Sequence, residues 1–237
     1  MMEVNNVNAT IETQLLIVNE DTNLTTIEFN PALETIDMYA LLNELRNIAN
    51  YLEDESNSAV VIFKGLSAKI TIATEIPEAD FFRRWEKVLN QLEKLPKVLI
   101  AVLNGACENF MMQLALCCDY RIATEDSYFI ANELEKGFLP GITTFYLTKY
   151  VGMGLARRTI IAGIPLTAST AFKEGVVDSM YKVVELSEVL DAFVKRVTPK
   201  NMKAFQLATR LLRESYANSY ETALGHYLAA QHKCIDQ

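Results

Sequence analysis

An α/β fold is what this 237-residue sequence predicts, and three observations predict it. The β-branched runs SAVVIFKG and KVLIAVLNG have strand length, and each closes on a glycine. Between them, IPEADFFRRWEKVLNQLEKL repeats apolar residues at helical spacing. Unbroken apolar strands alternating with amphipathic helices describe a parallel sheet covered by helices. Half of the residues are apolar, so the chain can bury a full core and is not a disordered one.

In chain order, QLLIVNE and LTTIEF read as two strands joined at Asp21-Thr22-Asn23, and TIDMYALLNELRNIANYLED follows at helical spacing. Beyond the strand–helix–strand unit above, FMMQLALCCD reads as a short, almost wholly buried helix, and YRIAT and SYFIAN as strands. From Gly141 onward ITTFYLTKYVG, MGLARRTIIAG and TASTAFKEG are short helical segments, each ended by glycine, and VDSMYKVVE adds a strand. The tail from Thr198 is helical. Its last segment places Ala223, Leu224, Tyr227, Leu228 and Ala230 on one apolar face, which Gly225 interrupts at a cost of about 1 kcal/mol. Such a face docks on the domain or on a neighbouring subunit. No repeat, low-complexity linker or domain boundary interrupts the chain.

The formal charge is -8 and unevenly spread. Residues 1 to 60 hold eleven carboxylates against the single Arg46, which leaves +2 for the remainder. Nucleic acid is excluded as a partner, because phosphate binding needs a clustered basic face. Cys107, Cys117, Cys118 and Cys234 lie mostly in apolar stretches without metal-ligand spacing and read as buried thiols. The first residues, MMEVNNVNATIE, have neither a basic nor an apolar leader region, and no apolar run reaches membrane-spanning length. The expectation is a cytoplasmic protein with no membrane association.

Nucleotide-binding glycine loops, the H-E-x-x-H pair and the G-x-S-x-G elbow are all missing, and the two histidines, His226 and His232, lie together near the end. Acid/base chemistry therefore falls to carboxylates, amides or backbone groups, with no metal and no tightly held cofactor. In SYFIANELEKGFLPGI, strand alternation puts Glu133 on the face of Phe129 and Ala131, before a rigid turn. Burial there raises a carboxyl pKa toward the range a proton shuttle needs; a solvated strand end is the alternative. Glu135 shares that face if the strand continues, so periodicity does not separate the two. In NGACENFMMQLALCCD a strand runs into a buried helix whose first free N–H groups can hold an oxyanion, and Gln113 inside it needs a partner.

These stretches, in this order, resemble the crotonase (enoyl-CoA hydratase/isomerase) superfamily: IEFNPAL, VVIFKG, KVLIAVLNGA, LALCCDYRIA, GFLPGITT, LTKYVG and PLTASTAFKEGVVDSM. The resemblance implies a ββα spiral over residues 1–197, with helices from 198–237 belonging to the same domain and serving oligomerisation into trimers or hexamers and active-site cover. It implies a coenzyme A thioester as substrate, its carbonyl oxygen held by two backbone N–H groups. Carried over by position, one donor is Thr74, where Ala73 replaces the usual glycine, and the other is Phe110. Of the paired glutamates of hydratases, one position reads Gln113 and the other Glu133. Glutamine orients water but takes no proton, so an isomerase, dehydratase or decarboxylase variant is also implied. Leu139 and Gly141 fall in the substrate-lining turn. Within the superfamily the chain is most similar to the auxiliary crotonases of dihydroxyphenylacetyl-CoA biosynthesis, through FFRRWEKVLNQLEKLP, ARRTIIAGIPL and SYETALGHYLAA. That likeness implies a polyketide synthase as partner, and an accessory protein with little catalysis of its own as the rival to an enzyme. The nearest cations for an anionic coenzyme A are Lys64, Lys69, Arg83, Arg84 and Lys87.

Overall fold

The computed structural model describes residues 9–30, 32–33, 35–67, 69–71 and 78–235. The chain opens with strands β1 (Ala9–Glu12), β2 (Leu16–Asp21), β3 (Leu24–Phe29) and β4 (Thr35–Asp37), then helix α1 (Met38–Asp54). Strands β5 (Val60–Lys64) and β6 (Lys69–Thr71) precede helix α2 (Ala79–Lys94), and β7 (Val98–Leu103) and β8 (Ala106–Glu108) precede helix α3 (Asn109–Cys117). There follow β9 (Tyr120–Thr124), β10 (Tyr128–Ile130), α4 (Thr143–Ile160), β11 (Leu166–Thr167), α5 (Ala168–Lys173) and β12 (Ser179–Tyr181). Helices α6 (Leu186–Val197), α7 (Met202–Glu214) and α8 (Tyr220–Ile235) complete it.

The main sheet has the order β1-β2-β3-β5-β7-β9-β12. The hairpin β2–β3 is antiparallel, as expected from the Asp21-Thr22-Asn23 turn, and from β3 onward every pair is parallel. Period-two alternation decides which residues face which helices. On β5, Val61 and Phe63 enter the larger apolar cluster with α1, α2 and α3, while Val60 and Ile62 enter a second cluster roofed by Leu190 and Phe193 of α6 and Phe205 of α7. Helices on both faces explain why the strands read as continuous apolar runs.

Helix boundaries correct the sequence reading in places. Asp37 ends β4 and caps α1, its carboxylate accepting from Tyr39 N and Ala40 N, so the helix starts one residue after a segment the periodicity included. The segments ITTFYLTKYVG and MGLARRTIIAG, by contrast, are separated as expected: they are the two halves of α4, divided by a kink at Gly152, whose backbone is non-helical (φ 70, ψ 168). Strands β1, β4, β6, β8 and β11 and helix α6 were not anticipated, the strands being short and the helix half-exposed.

Two small sheets position the site. Strand β10 lies antiparallel to β11 and parallel to β8, with Tyr128, Phe129 and Ile130 facing Ala106, Cys107 and Glu108. Because both strands end at the same level, the chain enters α3 at Asn109 beside the point where it leaves β10 for Ala131 and Asn132.

Candidate active site

Glu133 lies three residues past Ile130, the end of β10. Phe129, Ala131 and Glu133 are all buried, with Glu133 1% exposed, whereas Glu135 is exposed. Alternation thus continues through Glu133 although β10 ends at Ile130. At Glu133 the backbone turns helical (φ -60, ψ -36) and opens a 3-10 turn over Leu134–Lys136, which swings Glu135 outward. Periodicity did not separate the two glutamates; the turn does.

The buried carboxyl is held by amides from one face of α3. Asn109 and Gln113 are four residues apart and so project on the same side of the helix. Gln113, 1% exposed, donates from Nε2 to Glu133 Oε1 at 3.4 Å, and its Oε1 accepts from Trp85 Nε1 at 2.8 Å. The indole accordingly fixes the orientation of the amide, since Nε1 donates only. Asn109, with its amide nitrogen turned inward, donates to Asn132 Oδ1 at 2.6 Å and lies 3.3 Å from Glu133 Oε2, while its oxygen accepts from Lys136 Nζ at 3.2 Å. Among the described residues Asn109 is the one non-glycine with positive φ, at 48, a conformation asparagine tolerates better than most residues. Burial pushes the Glu133 pKa above the ordinary carboxylate range; its own N–H, the Gln113 amide and the Lys136 charge oppose that without reversing it.

Phe110 is the second residue of α3, so its N–H belongs to the first turn, where helix geometry supplies no acceptor. Its ring does not stand free: it packs on Phe81, Trp85 and Phe138, with centroids 5.3, 5.0 and 5.9 Å away. The side chain that replaces glycine here forms part of an aromatic wall between α2, α3 and the turn after Glu133. Gly141 has φ +48, and a Cβ there would lie 2.5 Å from Glu86 Oε1 and 3.0 Å from Gln113 Oε1. Leu139, two residues before Gly141, is 73% exposed.

Glu86 was not among the sequence-derived candidates. It follows Trp85 on α2, its Oε1 accepts from Ile142 N at 3.2 Å, and burial raises its pKa against that hydrogen bond. Phe82 and Glu86, one turn apart on α2, touch Phe138 and Ile142, which are also four residues apart, and Glu93 meets Tyr146 further along. Ala73 and Thr74 lie outside the described residues. Of the cations, Arg83 pairs with Asp80 and Arg84 donates to Asn43, both on the solvent side of α2. No group of three or more His, Cys, Asp or Glu among the described residues is placed to hold a metal ion, and no helix there is long and apolar enough to cross a membrane. Three of the four cysteines are buried as expected, and Cys234 is partly so.

Residues 22–237 match the family model described as enoyl-CoA hydratase/isomerase. The chain is 25% identical over 229 residues to a crotonyl-CoA hydratase of Syntrophomonas wolfei, covering 91% of this chain and 86% of that protein. It is 27% identical over 245 residues to a short-chain-enoyl-CoA hydratase of Clostridium acetobutylicum, covering 99% and 91%. An enoyl-CoA hydratase structure from Bacillus anthracis superposes with a TM-score of 0.81 at 24% identity over 94% of this chain and 92% of that one. DspI of Pseudomonas aeruginosa gives 0.84 at 22% identity over 96% and 91%. The family match spans nearly the whole chain, and the solved structures share its α/β architecture with C-terminal helices. The chain belongs to the enoyl-CoA hydratase/isomerase family of enzymes, the crotonase superfamily.

Proposed function

We propose that this protein moves protons on an acyl-CoA, at the carbon beside the thioester carbonyl, with Glu133 as the acid/base. One observation carries the reading: a carboxyl 1% exposed, held by side-chain amides at the start of a buried helix, with its pKa raised by burial. A carboxyl with a raised pKa is a stronger base than a solvated one and can take a proton and return it, as hydration, dehydration or double-bond migration of an enoyl thioester requires. Removing that proton leaves an enolate, and the N–H groups of Phe110 and Thr74 are the proposed donors to its oxygen. Each donor contributes about 3 kcal/mol of barrier lowering. Gln113, fixed by Trp85, positions water or substrate, and Ala73, Leu139 and Gly141 flank the acyl group. Coenzyme A arrives as part of the substrate, from the cytoplasmic acyl-CoA pool, and the chain works as a homotrimer or hexamer.

Hydrogen exchange at the α-carbon of bound butyryl-CoA in deuterated water, followed by mass spectrometry, isolates this step. The wild type is expected to exchange, and Glu133→Gln to lose 100-fold or more while binding coenzyme A within about threefold. Unchanged exchange in that variant overturns the assignment.

A second reading draws support from the Phe110 ring, which fills space beside α3 that glycine leaves open. In it the chain assists a type III polyketide synthase with little catalysis of its own. Retention on an immobilised synthase, together with no butyryl-CoA exchange in the wild type, is the outcome that reading requires.

A further inference from the structure

Gln113 occupies the position at which hydratases carry their first glutamate, and an amide transfers no proton. Addition of water to an enoyl thioester has two proton events, one at the attacking oxygen and one at the α-carbon. Glu133 serves one of them. A second titratable side chain stands near the oxygen end of the same amide.

Glu133 meets the Gln113 nitrogen at 3.4 Å. On the other side, the ideal Cβ position of Gly141 lies 2.5 Å from Glu86 Oε1 and 3.0 Å from Gln113 Oε1, so these two oxygens are no further apart than the sum of those distances. A side chain at 141 would fill the gap, and glycine leaves it open. Glu86 is half-buried, and no charged side chain among the described residues pairs with it; its one hydrogen bond comes from Ile142 N at 3.2 Å. Lys136 is the cation near the pair, and it sits at the Glu133 end through Asn109. Trp85 and Glu86 are consecutive on α2, so one helix turn orients Gln113 and delivers the second carboxyl.

We infer that Glu86 is the second acid/base group of this site, seating water in the opening at Gly141 and taking its proton, in place of the carboxylate that Gln113 replaces. This rests on the proposed function above. The water oxygen bonds to the β-carbon of the enoyl thioester as its O–H breaks, and the proton passes to the Glu86 carboxylate. The π pair of the double bond moves to the α-carbon and takes the proton of the Glu133 carboxylic acid. Glu86 then releases its proton to water and Glu133 takes one up from water, so one water is added and both groups are restored. Burial of Glu86 supports the assignment, because a carboxylate with a raised pKa is a stronger base.

A structural role, capping the turn at Ile142, predicts something else, and two variants distinguish the two. Glu86→Gln keeps an oxygen acceptor for Ile142 N–H and is expected to lower crotonyl-CoA hydration about 100-fold. It should leave butyryl-CoA α-exchange within about threefold, because that exchange uses Glu133 alone. The acidic limb of the hydration rate against pH should disappear in it, and Glu86→Asp should restore part of the rate and the limb. Hydration within about threefold of wild type, or equal loss of hydration and exchange with a lowered melting temperature, overturns the inference. A wild type that exchanges without hydrating overturns it as well. Retained exchange in Glu133→Gln instead removes the underlying reading, so the two failures are told apart.

Discussion

At Glu133, burial and hydrogen bonding act in opposite directions on one carboxyl, and burial dominates. The consequence for stability follows from linkage. A carboxyl whose folded pKa lies above its unfolded value contributes its full stability below the unfolded pKa, and loses it as pH rises through the folded one. At neutral and alkaline pH the ionised group therefore works against the fold. Glu133→Gln is expected to melt a few degrees above wild type at pH 8, with the gap closing toward pH 4, by scanning fluorimetry at several pH values. Equal melting temperatures across that range would show that the carboxyl is not strained by burial. Burial raises the Cys107 pKa too, and a hydrogen bond with Cys118 together with burial raises that of Cys117, so these thiols stay protonated and unreactive.

Among the secondary elements, α2 connects the aromatic wall to the turn after Glu133. Its buried stripe of Phe81, Trp85, Val88, Leu89 and Leu92 faces the core, and the adjacent row of Phe82, Glu86 and Glu93 meets the chain from Phe138 to Tyr146. At Gly141 the two surfaces leave no room for a Cβ. Alanine there must accept φ +48 and crowd Glu86 and Gln113, and should destabilise by about 1–3 kcal/mol. Gly152 is the internal control for crowding: its backbone (φ 70, ψ 168) is one that glycine adopts almost alone, but a Cβ would meet nothing within 4 Å. Gly152→Ala should cost about 1–3 kcal/mol and spare catalysis. Chemical denaturation with the hydration assay distinguishes the pair; equal effects on activity would show that crowding at Gly141 is immaterial.

Across the whole molecule, the C-terminal helices are joined to the core by both apolar and charged contacts. Phe205 of α7 covers the second apolar cluster, and Arg213 donates to the Glu93 backbone oxygen and pairs with Asp119 at 3.1 Å and Glu93 Oε1 at 3.5 Å. Asp119, 11% exposed at its side chain, loses a donor if the arginine is removed. Arg213→Ala is expected to cost about 1–2 kcal/mol. Amide exchange should rise across α7 and α8 while the central strands keep their protection; uniform change over the chain would refute this local anchoring. On α8, Leu224, Tyr227 and Leu228 remain exposed, while Ala230 is buried.

The sequence by itself determined the strands β2, β3, β5, β7 and β9, because runs such as VVIFK and VLIAVL bury alternate residues on both faces and have no other stable arrangement. It also located the helix holding Gln113 and the carboxylate opposite it, through an apolar frame that made each polar residue conspicuous. Tertiary structure alone decided which glutamate turned inward, since Glu133 and Glu135 share one parity until a 3-10 turn separates them. It alone brought Glu86 to the site. On α2 that residue is one charge among several, and its significance comes from Gly141 and Gln113, distant in the chain and adjacent in space. Local pattern records burial; convergence of polar groups from different elements depends on how those elements pack, which no single segment encodes.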